Sequence, residues 1–416
     1  MDMKNTVAFL FAGGEGKRLG AITYSKPKPL VPFAGKYRLI DFSLSNAANS
    51  GVRQLGVLVQ THQTSIIDYI ENGNPWGFRY PKSELRVLPP RTDNGHAAVY
   101  LGSADAIRKN LDFLNNDIAC DTVLVLSADH VYNMDYADLV NFHRWKNADV
   151  TVAITKEKRK DTHHFGIVHQ DNSDRILEWQ EKPCNATSTF ASIGIYVFSK
   201  KFLVNALETC QDIDFGYHII PCAIRQARIY GYQFNNYWSD VGTPNAYWRT
   251  SLDLLGQQHK IDLDKWRIRS NHYNYTQDEI INKKYVESSV VIENSIISEN
   301  SLVKGKVFNS IIFPGVMIDS GAYVSNSIVM TNCTVASNSL IENTILCDRV
   351  YVSCGTLIGC TDCSSSPFED ADLMENGLVV IGPDVSLRAR ECIHKASMIF
   401  SQMDYVQRNY PCNRIE

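Results

Sequence analysis

The chain has 416 residues, of which 44% are hydrophobic and 21% charged. That is the composition of an ordinary globular protein of two or three domains, and it excludes a disordered chain. The net charge of −4 argues against a nucleic-acid partner, and no apolar run reaches the roughly 18 residues of a membrane span.

The first apolar run, Val7-Ala8-Phe9-Leu10-Phe11-Ala12, is too short for a signal peptide and ends in glycines. It reads as a buried strand. Further strands are expected at Gln54–Val59, Thr122–Ser127 and Val150–Ile154, with amphipathic helices at Phe42–Ser50 and Ser103–Leu114. Strands that are apolar throughout, alternating with helices, predict a mostly parallel α/β sheet over the first ~255 residues. Ligands of such sheets sit beyond the carboxyl ends of the strands, which here means the loops after Phe11 and Leu126.

From about Gln257 to Lys284 the pattern dissolves into polar residues and reads as a linker. A second rhythm follows. Apolar residues fall at Ile292, Ile297, Leu302, Val307, Ile312, Ile318, Val324, Val329, Val335, Ile341, Leu346, Val352 and Ile358, always five or six apart. No helix repeats at that interval. A left-handed parallel β-helix does, with one apolar residue from each flat side pointing inward. Leu378-Val379-Val380-Ile381 is expected to add a last coil, and the final residues to cap it.

The eleven cysteines, from Cys120 to Cys412, are expected to be free thiols in a reducing cytoplasm. Cys360-Thr-Asp-Cys363, with Cys354 upstream, is a lone pair too few for zinc and reads as a turn.

The segment richest in chemistry is Phe11-Ala12-Gly13-Gly14-Glu15-Gly16-Lys17-Arg18-Leu19. Glycines let a backbone approach phosphate closely, and exposed N–H groups can cradle it. The dinucleotide pattern fails because Leu19 stands where a glycine is needed, and the P-loop pattern fails at Phe11. Lys26, Lys28, Lys36 and Arg38 follow, so Glu15 to Arg38 holds six cations and one acid. That charge suits a triphosphate.

Ala12 to Leu19, then Lys28-Pro29, then Gly35-Lys36-Tyr37-Arg38-Leu39-Ile40-Asp41-Phe42 resemble the sugar-1-phosphate nucleotidyltransferases. Leu44-Ser45-Asn46 and Asn49-Ser50-Gly51 are similar to the ADP-glucose pyrophosphorylase branch. The likeness is strong to about Leu255, clear over the repeat and weak in the last ~55 residues. It implies an α/β fold, with a Rossmann-like, mostly parallel nucleotidyltransferase domain at 1–256, a linker at 257–284 and a left-handed parallel β-helix with its tail at 285–416. It also implies adenylyl transfer from ATP to glucose-1-phosphate with Mg²⁺, in a cytoplasmic homotetramer open to a sugar-phosphate or nucleotide effector.

Residue by residue, the resemblance assigns the nucleotide to Ala12, Gly13, Gly14, Gly16 and Gly102. Catalysis falls to Arg18, Lys28, Asp129 and Lys182. The metal falls to Asp129 and Asp240, which lie in Ala128-Asp129-His130-Val131-Tyr132 and Trp238-Ser239-Asp240-Val241-Gly242. The sugar phosphate falls to Tyr100, Gly166, Glu181, Lys182, Ser192, Tyr196, Asp214, Phe215 and Trp238. His130 is expected to support the site without reacting.

Mg²⁺ takes one or two carboxylates alongside phosphate oxygens, so two isolated aspartates suit it. The sugar phosphate is already anionic near neutral pH, so positioning and charge neutralisation carry the reaction without a general base.

The chain departs from the family at Lys17, Ala128, Val99, Tyr217 and His218. No family-type glutamine appears around Leu88-Pro89-Pro90-Arg91-Thr92. Rival readings are another sugar or cyclitol phosphate or another base, and an inactive regulatory subunit, which should have lost some of these site residues. A hexapeptide acyltransferase is disfavoured because no histidine lies between Val286 and Ile358.

Overall fold

The computed structural model describes residues 3–14, 16–60, 62–79, 81, 83–90, 99–115, 119–156, 159–210, 212–256, 260–271, 285–286, 290–360 and 371–409. Most of the expected linker, Arg91-Thr92 and Cys363 lie outside them. Contacts divide the chain into two units. The first is Met1–Gly14, Ile40–Trp238 and Arg267–Arg269; the second is Glu15–Leu39, Ser239–Trp266 and Ser270–Glu416.

The first unit is built on a nine-stranded sheet. Strand Thr6–Phe11 lies between Gln54–Leu58 and Thr122–Ser127, parallel to both, and Glu84–Leu88 extends the parallel set. Val7 to Leu10 are fully buried, as a strand covered on both faces requires. Phe190–Ser199 enters antiparallel and pairs with Thr122–Ser127, Val150–Lys156 and Gly166–Gln170. Its pairing to Val150–Lys156 breaks between Ser192 and Tyr196, a bulge that re-aims the strand. The expected helix over Ser103–Leu114 is two short helices, Ser103–Arg108 and Leu111–Asn115. Asn110 stands between them, and its side chain bonds to the Tyr100 hydroxyl and the Ala106 carbonyl.

The second unit holds a parallel β-helix of three six-stranded sheets. Its inward residues follow the five-to-six step, with Val307, Ile312, Val324, Val329, Val335, Ile341, Leu346, Val352 and Ile358 all fully buried. Leu302 is the exception. It pairs with the exposed Met317, and its neighbour Val303 takes the inward place beside Ile318. Two adjacent apolar residues cannot both face one side of a strand, and period alone did not choose between them. Val379–Ile381 forms the expected coil, pairing with Thr344–Leu346. Three further short strands and the helix Gln402–Asn409 close the end, with Tyr405 buried and bonded to Glu391.

The coil corners use asparagine. Asn294, Asn309, Asn326 and Asn343 all have positive φ, a conformation that asparagine tolerates and most side chains do not. The amides of the first three stack as a ladder, Asn294 Nδ2 to Asn309 Oδ1 and Asn309 Nδ2 to Asn326 Oδ1, both at 2.7 Å. Seven described cysteines are free thiols, as expected, but Cys392 is disulfide-bonded, against the expectation of free thiols throughout.

The ladder and the backbone conformation can be separated at Asn326. Replacing Asn326 with glycine keeps the left-handed backbone and should cost about 1 kcal/mol for the lost amide bond. Replacing it with alanine adds the strain and should cost about 2 kcal/mol in all. Urea melts of both variants check this, and equal losses would remove the conformational part.

Candidate functional site

In the first unit the parallel register brings three loops side by side. Phe11 pairs with Leu58 and Ser127, Ala12 N–H donates to Leu58 O at 2.9 Å, and Ala128 N–H donates to Phe11 O at 3.0 Å. Ala12-Gly13-Gly14, Gln60 and Asp129 therefore leave the sheet at one end. A Cβ on Gly13 would stand 3.3 Å from Gln60 Cβ, whereas Gly14 faces open space. Gln60 was missed in the sequence. It follows the second parallel strand, and its Oε1 accepts from Tyr100 N–H at 2.8 Å.

Asp129 accepts a hydrogen bond from Ser127 Oγ, and its Oδ1 lies 3.3 Å from His130 Nε2. Ser127 was also missed; its signal was its place as the last residue of the strand before Asp129. His130 is buried against Trp238, with ring centroids 5.1 Å apart, and the Phe165 ring also meets Trp238, at 5.5 Å. Trp238 Nε1 is buried with no hydrogen-bond partner among the described residues, which leaves a donor for a ligand. The hard carboxylate oxygen of Asp129 suits a divalent cation.

The expected sugar-phosphate residues gather around Glu181, on strand Ile176–Glu181. Burial pushes its carboxyl up, Lys182 beside it at 3.7 Å acts the other way, and Asp214 adds to the rise. Gly166 and Gly216 make room for this carboxylate: a Cβ on either would stand 2.9 or 2.6 Å from Glu181 Oε2. Lys182 has φ +47°, its side chain is half exposed, and its ammonium lies 5.6 Å from the centre of the Tyr217 ring. Ser192 Oγ donates to Tyr196 OH at 3.4 Å beside the bulge, and burial pushes the Tyr196 phenol up.

Three predicted residues bond inside the fold. Tyr100 OH donates to Leu88 O and accepts from Asn110. Phe215 is buried in the core against Phe198. Asp214 caps the turn after it, accepting from Gly216 N–H, Tyr217 N–H and Ser103 Oγ at 2.8, 3.0 and 2.9 Å. Gly102 lies against this turn with extended backbone, and a Cβ there would overlap the Ile213 carbonyl oxygen.

The second unit brings Arg18, Lys28 and Asp240 together. Gly16 has φ +70°, with Lys28 Cβ 2.8 Å from where its own Cβ would be, and it turns the chain into the short helix Lys17–Thr23. Lys28 Nζ lies 3.2 Å from Asp240 Oδ1, and Arg18 Nη2 lies 3.8 Å from Oδ2. Lys28 is buried and Arg18 is exposed. Gly242 allows the approach, since a Cβ there would stand 2.9 Å from Asp240 Oδ2 and 3.0 Å from Arg18 Nη2. Lys26, counted with the phosphate cations in the sequence, is instead bonded to Asp348.

Residues 7–257 match the nucleotidyl transferase family, and residues 280–381 match the GlmU-like C-terminal hexapeptide family. The chain belongs to the nucleotidyl transferase family. A glucose-1-phosphate adenylyltransferase of Pseudothermotoga lettingae is 40% identical to this transferase over 404 residues, 94% of each chain. Proteins of the same name match from Clostridium acetobutylicum, at 39% over 76% of this chain and 84% of the relative, and from Thermotoga maritima, at 39% over 77% and 76%. No described helix of this transferase is long and apolar enough to cross a membrane.

The contact at Gly102 gives a direct test. Gly102→Ala must shift the turn at Ile213 or the start of helix Ser103–Arg108, and should lower turnover on the order of a hundredfold with the fold retained. Steady-state kinetics beside a thermal melt checks it; wild-type turnover would show that the close approach has no functional weight.

Proposed function

We propose that this transferase moves the adenylyl group of ATP to glucose-1-phosphate, giving ADP-glucose for glycogen or a related glucan and releasing pyrophosphate. The observation that carries the reading is the pairing of Arg18 and Lys28 around Asp240. Two cations held by one carboxylate are ready to exchange it for phosphate oxygens, because charge-assisted bonds to phosphate are at least as strong. Arg18 and Lys28 then neutralise the triphosphate and the leaving pyrophosphate. Ala12, Gly13, Gly14, Gly16 and Gly102 let backbone approach the nucleotide.

Lys182 binds the sugar phosphate and Glu181 the sugar hydroxyls, with Gly166, Ser192, Tyr196 and Trp238 around them. Tyr100, Asp214 and Phe215 belong to the same pocket and set its walls from within the fold. The attacking phosphate oxygen is already an anion, so these residues orient it in line with the leaving group and no side chain needs to remove a proton. Asp129 and Asp240 are the proposed ligands of Mg²⁺, which when bound supplies charge neutralisation to the phosphates.

The catalytic part is 1–256 and the β-helix part 285–416, with 257–284 joining them. A cytoplasmic homotetramer responsive to a sugar-phosphate or nucleotide effector completes the proposal. Association of copies is supported by an exposed stripe on one β-helix sheet, where Tyr285, Leu302, Met317, Thr334 and Tyr351 stand in register, and three of them, Tyr285, Met317 and Tyr351, are about half exposed. Apolar stripes of this kind mark contacts between copies.

Pyrophosphate release measured over a panel of nucleoside triphosphates and sugar phosphates tests the reaction. ATP with glucose-1-phosphate should turn over fastest, and Asp129→Ala should slow it on the order of a thousandfold. Faster turnover with another pair would transfer the assignment to that pair, and an unimpaired Asp129→Ala variant would remove Asp129 from the reaction.

A further inference from the structure

Two lysines flank Pro27 in the second unit, and they have different partners. Lys28 reaches Asp240, which the proposed function frees for exchange with phosphate. Lys26 reaches Asp348 on the β-helix, and both side chains are largely buried, 18% and 13% exposed. The other oxygen of Asp348 is buried with no hydrogen-bond partner among the described residues. Drawing Lys26 away to a phosphate would strand that carboxylate without a counter-charge, which is costly in a buried place. Lys26 is therefore held, and its pairing has a purpose other than phosphate contact.

The surroundings of Asp348 are built for holding. Its own backbone carbonyl accepts from Asp384 N–H at 3.0 Å, and the neighbouring Arg349 grips the Asp384 carboxylate with two bonds of 2.6 and 2.7 Å. On the other side the thiol of Cys347 lies 3.9 Å from the Ala21 carbonyl oxygen. The segment Glu15–Leu39 rests on the β-helix at more points: a Cβ on Gly20 would stand 2.5 Å from the sulfur of Met398, and one on Gly35 would overlap Ser298 Oγ. From the helix Pro244–Leu252, outside the β-helix, Tyr247 OH donates to Pro32 O at 2.6 Å. Between Lys26 and Lys28, Pro27 is extended at φ −69° and ψ 151°, and its ring removes most of the freedom of the link. A fixed Lys26 therefore fixes where Lys28 begins.

The geometry points to Asp348 as a positioning residue for nucleotide binding. It anchors Lys26 to the β-helix, so that the proline-braced Lys28 presents its ammonium to the triphosphate. This rests on the reading of Arg18 and Lys28 as triphosphate cations. It makes the β-helix part of the nucleotide grip.

The test compares full-length wild type with Asp348→Asn, Lys26→Met, the double variant and Lys26→Arg. Calorimetric titration with Mg·ATP, without sugar phosphate, is read beside KM for both substrates and a thermal melt. Each single loss should weaken ATP binding and raise KM for ATP on the order of tenfold or more, with KM for glucose-1-phosphate within about twofold of wild type. The double variant should be no worse than the weaker single, since the two residues act as one pair. Lys26→Arg should keep most of the affinity. A folded Asp348→Asn that binds ATP like wild type, or additive losses in the double variant, would overturn the assignment. Should Asp348→Asn not fold, Lys26→Met and Lys26→Arg carry the same comparison. Wild-type turnover of ATP with glucose-1-phosphate upholds the substrate reading whatever these variants do.

Discussion

Parallel pairing of Thr6–Phe11 with a strand on each side is the constraint from which the first unit follows. Parallel strands start at one end and finish at the other, so their carboxyl-terminal loops must emerge together. The backbone ladders on both sides of Thr6–Phe11 hold the three strands in register, from Val7 beside Gln54 and Val123 to Phe11 beside Leu58 and Ser127. The glycines after Phe11, Gln60 after Leu58 and Asp129 after Ser127 thus leave the sheet at one end. The same logic explains why chemistry is concentrated in loops while the strands are uniformly apolar.

Charge balance organises the second unit. The segment Glu15–Leu39 carries six cations and little of its own to offset them. Asp240 takes two of them and Asp348 takes a third. These partners differ in kind. Arg18 is exposed and only loosely associated with Asp240 at 3.8 Å, a contact worth little in water and easily exchanged. Lys26 and Asp348 are largely shielded from solvent, where a pair is costly to separate. A run of like charges in a sequence therefore divides into exchangeable and fixed members once burial is known.

The glycines illustrate a second economy. Gly166 and Gly216 are conformationally ordinary; Gly216 leaves space for the Glu181 carboxylate, and Gly166 leaves space first for the Trp179 ring and then for that carboxylate. Gly16 meets both demands, a left-handed backbone and a neighbouring side chain that leaves no room for a Cβ. Burial of Glu181 raises its pKa, with Lys182 as a counterweight.

Much of this was legible in the sequence because it depends on local pattern. Apolar runs ending in glycine marked the strand and loop at Phe11 to Gly16, and a five-to-six step marked the β-helix, which the inward residues from Val307 to Ile358 follow. Its lapse at Leu302 shows where pattern stops: Leu302 and Val303 are equally apolar, and only the pairing with Met317 and Ile318 selects Val303 for the interior. Long-range partners left no such trace. Nothing near Lys26 announces Asp348, more than three hundred residues away, and nothing near Tyr100 announces that Leu88 and Asn110 take its hydroxyl. The sequence by itself determined the periodicities, and with them the two architectures and the loops that hold the reactive residue types. Tertiary structure alone decided which cation meets which carboxylate, because that choice depends on distance and burial, and neither is encoded in any short stretch of chain.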